Sequence, residues 1–582
     1  MKLANWTSAT AIALCTVLTL LLAGPAQTQT FTVLHDFTGP DGAQPHGALL
    51  LDPAGNLYGV TMKGGAQNTG TVFKLDTAGN ESVVYSFGGQ SGGRPNAGLV
   101  RDAAGNFYGT TTFSYTCQAV YGCGNVFKMD PAGNVTVLHT FGGSSSDGAN
   151  PVGPVVLDSA GNLFGATFTG GGTRCQRDGA GGKLVIVGCG TLFKIDANGQ
   201  ESVLHAFGIT DGAYPSAGLV QDTAGNLFGT AYQGGLENCK FSGLGCGTVF
   251  KVDTTGQFSV LYSLQGGELG PDGAYPLGTV TLDPAGTLYA TTSSGGAPQP
   301  ACPSVPQGGS CGTIFQLTPA GKEAVLYSFK GLLGIPGGPG AGMVRDAAGN
   351  LYGFAGGAIF KLDSTGQLSV LFTLTGYPDD ATSDDLALDA NGNLYGLSPN
   401  GATGFGNVFK LTTPPDFAIG ALALAPATVA AGSSATAALD VITVSGFNDT
   451  LKFACSVSPQ PAQGPQCSIS TGTPARVTVT TSGPSARGTS SSGGSRAYAL
   501  WLPLLGLVGI GSLGSKQRRI KTMLLGCVLC LGIASQVACG GGGSSGGHPV
   551  TPAGAYTITV TGTSSAATGS LVRSTKTTLT VQ

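Results

Sequence analysis

The stretch Ala104-Gly105-Asn106-Phe107-Tyr108-Gly109-Thr110 decides the fold, because variants of it recur along the chain at intervals of 43 to 64 residues. Another copy reads Ala224-Gly225-Asn226-Leu227-Phe228-Gly229-Thr230. The seven copies are marked by the glycines Gly55, Gly105, Gly161, Gly225, Gly286, Gly349 and Gly392. Repeats of this length are typical of propeller blades and not of helical solenoids.

Two further phrases recur with the Gly-Asn phrase, and the position of one of them predicts how the repeat array ends. Gly70–Asp76 is the first aromatic-Lys phrase, and Ser82–Phe87 is a strand phrase after it. A displaced copy of the strand phrase, Thr32–Phe37, precedes the first Gly-Asn phrase, whereas none follows Phe409. The first strand can therefore complete the last sheet and remove free sheet edges. The sequence predicts an all-β fold with a seven-bladed β-propeller over residues 31–413, closed by its N-terminal strand.

Composition limits the classes of partner. The chain has 582 residues, of which 10% are charged, and a net charge of -3. Such a balance offers no basic field for a polyanion, so we expect no nucleic acid partner. The 99 glycines indicate a surface of tight turns solvated by backbone, hydroxyl and amide groups.

The N-terminus predicts export. Lys2 precedes an apolar run, and the small residues Gly24 and Ala26 suit cleavage after residue 26. Residues 1–26 are therefore predicted to be a signal peptide, with an uncleaved membrane anchor as the alternative.

The cysteines agree with an oxidising compartment. Eight of them form close pairs in the variable loop between the Gly-Asn and aromatic-Lys strands, and a fifth pair lies nearer the C-terminus. Loops without a core are what disulfides stabilise in exported proteins. Zinc is the weaker alternative, since the loops carry no histidine and no paired C-x-x-C spacing. The predicted pairs are Cys117 with Cys123, Cys175 with Cys189, Cys239 with Cys246, Cys302 with Cys311, and Cys455 with Cys467.

The candidate binding residues lie on the connectors that join one blade to the next. The phrase Asp-Gly-Ala-x-Pro recurs there, and strand parity places it on the same face as the cysteine loops. Exposed loops on a rigid scaffold often bind ligands, although Asp-Gly also simply turns a chain. The candidate ligand-binding residues are Asp41, Asp147, Asp211 and Asp272.

No catalytic, metal or cofactor motif is evident. His35, His139 and His205 occupy a repeat position that Tyr85 and Tyr262 hold in other copies, so the sequence gives them no catalytic role. A second series of aspartates, one before each Gly-Asn phrase, is explained by turn chemistry. Its members are Asp52, Asp102, Asp158, Asp222, Asp283, Asp346 and Asp389.

A different composition begins after a proline-containing linker near residue 413. Residues 416–582 predict an Ig-like β-sandwich, interrupted by apolar runs at 497–514 and 522–539 around a basic segment. Each run is just long enough to span a thin bilayer, so we expect a transmembrane helical hairpin that anchors the protein in a membrane. The alternative is that one or both runs are processed sorting signals.

The repeats resemble the bacterial "GloVer" repeat of choice-of-anchor tandem-repeat proteins. The resemblance rests on Asp211–Pro215, Gly225–Thr230 and Gly247–Lys251 and extends over roughly residues 31–413. It implies a secreted or surface-attached bacterial protein and no particular activity, while the C-terminal part is similar to bacterial Ig-like domains. We therefore expect a non-catalytic propeller, at the cell surface or in the periplasm, that binds a glycan or envelope protein or acts as a scaffold. The alternative is a propeller enzyme, a carbohydrate-active hydrolase or lyase, with acidic residues at the channel mouth.

Overall fold

The computed structural model describes residues 29–582 apart from a set of internal segments. Within it the chain forms two compact units. Unit 1 comprises residues up to 421 together with 440–453 and 561–575, and unit 2 comprises 422–439, 454–560 and 576–582. The segments outside the description are 115–122, 143–146, 173–174, 179–183, 187, 237–238, 240–244, 267–271, 297–310, 330–337, 375–384, 414, 445–446, 448, 471–473, 484–549 and 566–570.

The described residues are all-β, as predicted, with one short 3-10 turn at Gly89–Ser91. Residues 31–411 form seven antiparallel sheets of four or five strands, numbered here 1 to 7 in chain order. Within each of sheets 1 to 6 the strands follow one another as a meander. Each sheet corresponds to one copy of the repeat, so the periodicity read from the sequence marks structural units.

The strands of sheets 1 to 3 fall where the three recurring phrases predict them. Sheet 1 contains β2 (Ala43–Leu51), β3 (Leu57–Lys63), β4 (Thr71–Leu75) and β5 (Glu81–Ser86). Sheet 2 contains β6 (Val100–Arg101), β7 (Phe107–Thr111), β8 (Asn125–Met129) and β9 (Val135–Thr140). Sheet 3 contains β10 (Gly148–Pro151), β11 (Val156–Leu157), β12 (Leu163–Gly170), β15 (Thr191–Ile195) and β16 (Glu201–Ala206), and its loop carries the hairpin β13 (Gln176–Asp178) and β14 (Leu184–Ile186).

Sheets 4 to 7 repeat the pattern. Sheet 4 contains β17 (Val220–Gln221), β18 (Leu227–Ala231), β19 (Thr248–Val252) and β20 (Phe258–Ser263). Sheet 5 contains β21 (Ala274–Pro276), β22 (Thr281–Leu282), β23 (Leu288–Ser294), β24 (Thr313–Leu317) and β25 (Glu323–Ser328). Sheet 6 contains β26 (Val344–Arg345), β27 (Leu351–Ala355), β28 (Ala358–Leu362) and β29 (Leu368–Thr373), and sheet 7 contains β30 (Ala387–Leu388), β31 (Leu394–Ser398) and β32 (Asn407–Leu411) with β1 (Phe31–Asp36).

The first strand of the chain completes the last sheet. β1 pairs antiparallel with β32, and Val33 lies opposite Phe409. The pairing extends from Phe31 opposite Leu411 to Asp36 opposite Asn407. The predicted partner of the N-terminal strand is therefore confirmed.

The aspartates before the Gly-Asn phrases are turn residues, as expected from their sequence context. Asp52 Oδ1 accepts hydrogen bonds from the backbone N–H groups of Ala54 and Asn56, both at 2.9 Å. Asn56 Nδ2 donates to the other carboxylate oxygen at 2.8 Å, and Gly55 takes the left-handed backbone conformation that the turn requires. The same turn recurs at Asp389, where Asn393 Nδ2 donates to the carboxylate. The carboxylates of Asp52 and Asp389 are therefore hydrogen-bonded within their own turns.

Glycine and phenylalanine fit together inside each sheet. A Cβ on Gly59 would lie 2.5 Å from Cζ of Phe73 on the neighbouring strand, so the ring needs the space above a glycine. The same glycine-phenylalanine pair occurs at Gly229 and Phe250, and only in sheet 5 does Ala290 stand at that position among the described strands. The Gly of the recurring phrase is thus a packing residue.

The hydrophobic core lies between successive sheets. In the cluster between sheets 1 and 2, Val72 and Phe87 pack with Leu99 and Phe127. Equivalent clusters join sheets 2 and 3, 3 and 4, 4 and 5, 5 and 6, and 6 and 7. A further cluster contains Phe37 and Val408 of sheet 7 together with Phe73 of sheet 1, so the last sheet also packs against the first.

Unit 1 also contains a buried carboxylate with two cationic partners. Asp416 begins β33 (Asp416–Ile419), which pairs with β36 (Val441–Val444). Lys361 Nζ lies 2.6 Å and Arg573 2.9 Å from Asp416 Oδ2. Burial alone would raise the pKa of Asp416, but the hydrogen bonds and charges of these cations outweigh it and lower the pKa. The ion pairs therefore hold this carboxylate in its charged form inside unit 1.

The remaining strands of the C-terminal part form two further sheets. One has the order β34 (Thr428–Val429), β41 (Val572–Val581), β40 (Gly554–Ser564) and β37 (Leu451–Ser458), and the other has the order β35 (Ser434–Leu439), β39 (Ala475–Thr480) and β38 (Gln466–Ser470). Strands from both sides of residues 484–549 thus share one sheet, whereas the Ig-like character of this part stays a prediction.

The expected membrane attachment is corrected here. No helix in the part of the chain that the structure describes has the length and apolar character needed to cross a membrane. The prediction of a transmembrane helix, and of a membrane partner through it, is therefore wrong for that part. The runs at 497–514 and 522–539 lie outside the described residues, as does the predicted signal peptide at 1–26.

Candidate functional site

The connectors between sheets bond to both of their neighbours. The N–H of Tyr214 donates to the carbonyl of Cys189, in the loop before β15 of sheet 3, at 2.8 Å. The carbonyl of Tyr214 accepts from the N–H of Tyr232, just after β18 of sheet 4, at 3.1 Å. Arg94 makes the same two bonds, to Thr69 before it and from Thr112 after it. The predicted proximity of connectors and cysteine loops is thus present in the structure.

The connector residue before proline has a strained backbone. Non-glycine residues rarely adopt a positive φ, and a residue before proline prefers extended conformations, so such a position costs of order 1–3 kcal/mol. The bonds to both neighbouring sheets hold the backbone there, and they fix the direction of the side chain. The residues at this position, with φ between 52° and 61°, are Gln44, Arg94, Asn150, Tyr214 and Tyr275.

Two of these residues, Tyr214 and Tyr275, each stack on an aromatic ring of the neighbouring sheet. Phe168 and Tyr214 stack with ring centroids 5.1 Å apart and an interplanar angle of 28°. Tyr232 and Tyr275 repeat the arrangement one sheet later, at 5.0 Å and 29°. Phe168, Tyr232 and Tyr275 are half-buried, whereas Tyr214 is buried. We call these four residues the aromatic arc, which extends over sheets 3 to 5.

Polar groups flank the aromatic arc. Asn150 Nδ2 donates to Thr169 Oγ1 at 3.2 Å, next to Phe168 in the sequence. Ser293 Oγ donates to the carbonyl of Tyr275 at 3.1 Å. The arc therefore combines apolar ring surface with hydroxyl and amide groups on a rigid backbone.

The candidate aspartates bind their own connectors. Asp41 Oδ1 accepts from the N–H and the hydroxyl of Thr38, at 2.9 and 3.0 Å. Asp147 accepts from Gly142 N–H and Gly148 N–H, and Asp211 from Gly208 N–H. Asp272 accepts from Gln265 N–H at 2.8 Å. The structure thus places all four at equivalent turns, where one oxygen of Asp41 and of Asp211, and both oxygens of Asp147 and of Asp272, accept from the loop backbone, and a ligand-binding role stays a prediction.

Each of these aspartates also contacts the recurring His or Tyr of the preceding strand. The distance from Asp41 Oδ2 to His35 Nε2 is 3.1 Å, and that from Asp211 to His205 is also 3.1 Å. Asp147 lies 3.5 Å from His139 Nε2. Tyr262 donates its hydroxyl proton to Asp272 at 2.8 Å. Three of the five histidines of this chain are therefore paired with connector carboxylates.

Three glutamates that lie close to connector aspartates were not predicted from the sequence as site residues. Glu81, Glu201 and Glu323 are the first residues of β5, β16 and β25, and each has a buried Oε1 without a hydrogen-bond partner among the described residues. Burial, and then the charge of Asp41, raises the pKa of Glu81 to about 7. Burial also raises the pKa of Glu201 and of Glu323. The sequence did contain a sign of them, because each of these glutamates begins the last strand of the sheet that follows a connector aspartate.

Disulfides stabilise the loops beside the connectors. Cys175 is bonded to Cys189 and Cys239 to Cys246, and Cys455 is bonded to Cys467 in the C-terminal part. Cys123 and Cys311 are also disulfide-bonded, and their predicted partners Cys117 and Cys302 lie outside the described residues. The bonded carbonyls of Cys189 and Cys246 accept from Tyr214 and Tyr275, so the disulfide loops support the aromatic arc directly.

The Gloeobacter/Verrucomicrobia repeat model matches residues 24–240 and 181–356, which together make up more than half of the chain. The chain belongs to this repeat family. Membership of the Gloeobacter/Verrucomicrobia repeat family and the disulfides fit an exported protein. No curated protein matches the chain.

Several solved structures resemble this repeat protein at low identity. A gluconolactonase from Xanthomonas campestris is 14% identical with a TM-score of 0.34, over 68% of this chain and 93% of its own. Puromycin hydrolase is 13% identical with a TM-score of 0.39, over 69% and 59%. The Dos1 propeller is 11% identical with a TM-score of 0.35, over 63% and 81%.

Proposed function

We propose that this exported repeat protein is a glycan-binding β-propeller whose aromatic arc contacts the sugar. The proposed domains are a signal peptide at residues 1–26, a seven-bladed propeller at 31–413 and an Ig-like sandwich at 416–582. Its proposed location is the cell surface or the periplasm, where a glycan or another envelope component is within reach.

The pairing and packing of the sheets support a closed seven-bladed ring. Seven sheets occur, and each shares a hydrophobic cluster with the next. The cluster of Phe37, Phe73 and Val408 joins sheet 7 to sheet 1, which a linear array would not need. The pairing of β1 with β32 supports the same reading, since it leaves sheet 7 with its full set of strands.

The aromatic arc is the observation that carries the glycan proposal. Aromatic rings provide rigid apolar surface with little conformational entropy to lose, and the apolar face of a sugar ring can stack on them. The flanking amide of Asn150 and hydroxyl of Ser293, both half-buried, supply the polar contacts that sugar hydroxyls require. Disulfide loops and a strained but fixed backbone reduce the cost of ordering the site on binding.

Catalysis has less support in the geometry. The carboxylates with raised pKa values, Glu81, Glu201 and Glu323, lie on the fourth strand of their sheets. In the proposed ring it is the first strands that converge on the axis, so these glutamates do not form the acidic channel mouth that a propeller hydrolase or lyase would use. Turnover of a glycan is therefore the outcome that would favour the enzyme alternative.

The test is a glycan-binding screen with a matched pair of variants. Phe168→Ala removes one ring of the arc, whereas Phe164→Ala removes a half-buried ring from the same strand at its other end, over which Lys194 lies. We expect the wild-type protein to retain a polysaccharide or bind an oligosaccharide, and Phe168→Ala to weaken binding about tenfold, equivalent to about 1.4 kcal/mol. Phe164→Ala should bind like the wild type. Equal weakening by both variants, or no glycan bound at all, would refute the site, and product formation in the same samples would refute the non-catalytic role.

A further inference from the structure

Two copies of the repeat bring together one imidazole and two carboxylates from three separate segments. The first cluster consists of His35, Asp41 and Glu81, and one ligand atom of each lies within 4.8 Å of the others. The second consists of His139, Asp147 and Glu201, with the same spacing. In each cluster the His is on the fourth strand of one sheet, the Asp is on the connector, and the Glu begins the fourth strand of the next sheet.

The distances within the clusters suit a tetrahedral metal ion. Zinc bonds to imidazole nitrogen and carboxylate oxygen at about 2.0–2.1 Å, so two tetrahedral ligand atoms stand roughly 3.3 Å apart. His35 Nε2 and Asp41 Oδ2 are 3.1 Å apart, and His139 Nε2 and Asp147 Oδ1 are 3.5 Å apart. The glutamate ligand atom lies within 4.8 Å of the other two, and water would fill the fourth position.

A second observation points to a bound cation. Oε1 of Glu81 and Oε1 of Glu201 are buried and have no hydrogen-bond partner among the described residues. A buried carboxylate oxygen without a donor or a counter-charge is costly, and here it lies close to a second carboxylate. One neutral imidazole and two carboxylates carry a charge of about -2, which a divalent cation neutralises.

Hydrogen bonds from the connector orient the aspartate ligand of each cluster. Thr38 donates to Asp41 Oδ1 through its N–H and its hydroxyl, which leaves Oδ2 directed at His35. Gly142 and Gly148 hold Asp147 through their N–H groups. Such outer hydrogen bonds are a regular feature of metal sites in proteins.

We propose that His35, Asp41 and Glu81 bind one divalent transition-metal ion, of the zinc class, and that His139, Asp147 and Glu201 bind another. Each ion would join the fourth strands of two successive sheets through the connector between them. The proposal is independent of glycan binding, since it concerns a different set of side chains.

The chain contains two natural comparisons in which one ligand is missing. His205 and Asp211 are paired like His35 and Asp41, but Phe258 takes the glutamate position and stacks on His205 at 3.7 Å. In the other, Asp272 and Glu323 are present, but Tyr262 stands where the histidine would be. We expect neither copy to bind the ion.

The experiment counts bound metal in the full, tag-free protein. After treatment with a chelator, the protein is titrated with Zn²⁺ by calorimetry and with Co²⁺ by visible absorption, and bound metal is measured by mass spectrometry. Glu81→Gln and Glu201→Gln should each lose one equivalent, with affinity at the altered site falling at least about 100-fold. The double variant should lose two equivalents, and the control Glu323→Gln should lose none.

A gain-of-site variant covers the case in which a ligand change impairs folding. Tyr262→His supplies the missing imidazole beside Asp272 and Glu323, so it should add one equivalent to the wild-type count. Combining it with Glu323→Gln should abolish that gain. Equal metal content in the wild type and the double glutamine variant, or no added equivalent in Tyr262→His, would overturn the proposal. Saturation by Ca²⁺ or Mg²⁺ in place of Zn²⁺ would overturn the assignment to the zinc class.

Discussion

Phe37→Ala tests whether the N-terminal strand stabilises the propeller. The Phe37 side chain is fully buried at the end of β1, and its N–H donates to the carbonyl of Gly406 at 2.9 Å. Its ring meets the ring of Phe73 in sheet 1 edge to face, with centroids 5.1 Å apart. Truncation removes a whole buried ring between sheets 7 and 1, so the free energy of unfolding should fall by about 3–5 kcal/mol. Of this, about 0.5–1.5 kcal/mol is due to the aromatic pair.

The repeat provides a matched control for this variant. Phe87 occupies the same position after β5, is also fully buried, and lies edge to face with Phe127 at 5.2 Å. Phe87→Ala tests an interface formed by consecutive sheets, whereas Phe37→Ala tests the interface that depends on the chain's first strand. If β1 is a full member of sheet 7, both variants should lose the same stability to within about 1 kcal/mol.

Urea unfolding of both variants, followed by circular dichroism, gives the comparison. The difference between the two midpoints is the informative quantity, because the two proteins share every other contribution to unfolding. If Phe37→Ala lowers the free energy of unfolding by less than about 0.5 kcal/mol while Phe87→Ala lowers it by about 3–5 kcal/mol, then Phe37 behaves as a surface residue. That result would refute the ring closed by β1.

Three further variants test other parts of the structure. Gly229→Ala places a Cβ 2.7 Å from Cζ of Phe250, so thermal unfolding should show a destabilisation of about 1–3 kcal/mol. Glu323→Gln removes a carboxyl whose pKa is raised by burial and by Asp272, so the variant should have a higher Tm than the wild type at pH 8. Because the pKa of Glu323 is raised in the folded state, its contribution to stability is present at low pH and is lost as the pH rises through that pKa. The difference in Tm between the variant and the wild type should therefore shrink toward pH 4. Asp416→Asn leaves the half-buried cations of Lys361 and Arg573 without their buried counter-charge and should cost about 3–5 kcal/mol in urea unfolding.

The order of the strands could be predicted from the sequence because each strand carries its own phrase. The displaced copy at Thr32–Phe37 was sufficient to predict that the first strand joins the sheet containing Phe409, since the last repeat lacked its own copy of that phrase. Turn aspartates such as Asp52 were equally clear, because an Asp followed by Gly-Asn is a local pattern. The expected transmembrane helix is not found among the described residues, and the hydropathy from which it was predicted belongs to runs that lie outside them.

The side-chain clusters could be predicted only in part. His35 was recognised as a repeat position, and Asp41 as a connector residue, but their partner Glu81 lies in the next repeat. Contacts between consecutive sheets join residues far apart in the chain, and hydrophobic periodicity carries no information about them. The aromatic arc was missed for a local reason. Tyr214 precedes a proline, so the sequence favours an extended backbone at this residue, whereas the structure has a left-handed one.

The pairing of β1 with β32 also means that a strand from the start of the chain completes a sheet built at its end. β32 can form the same hydrogen bonds with the β1 of its own molecule or with the β1 of another copy. Copies that meet before this last step can therefore exchange N-terminal strands and interlock as dimers or longer chains. A high protein concentration favours such exchange, while dilution favours the self-contained monomer.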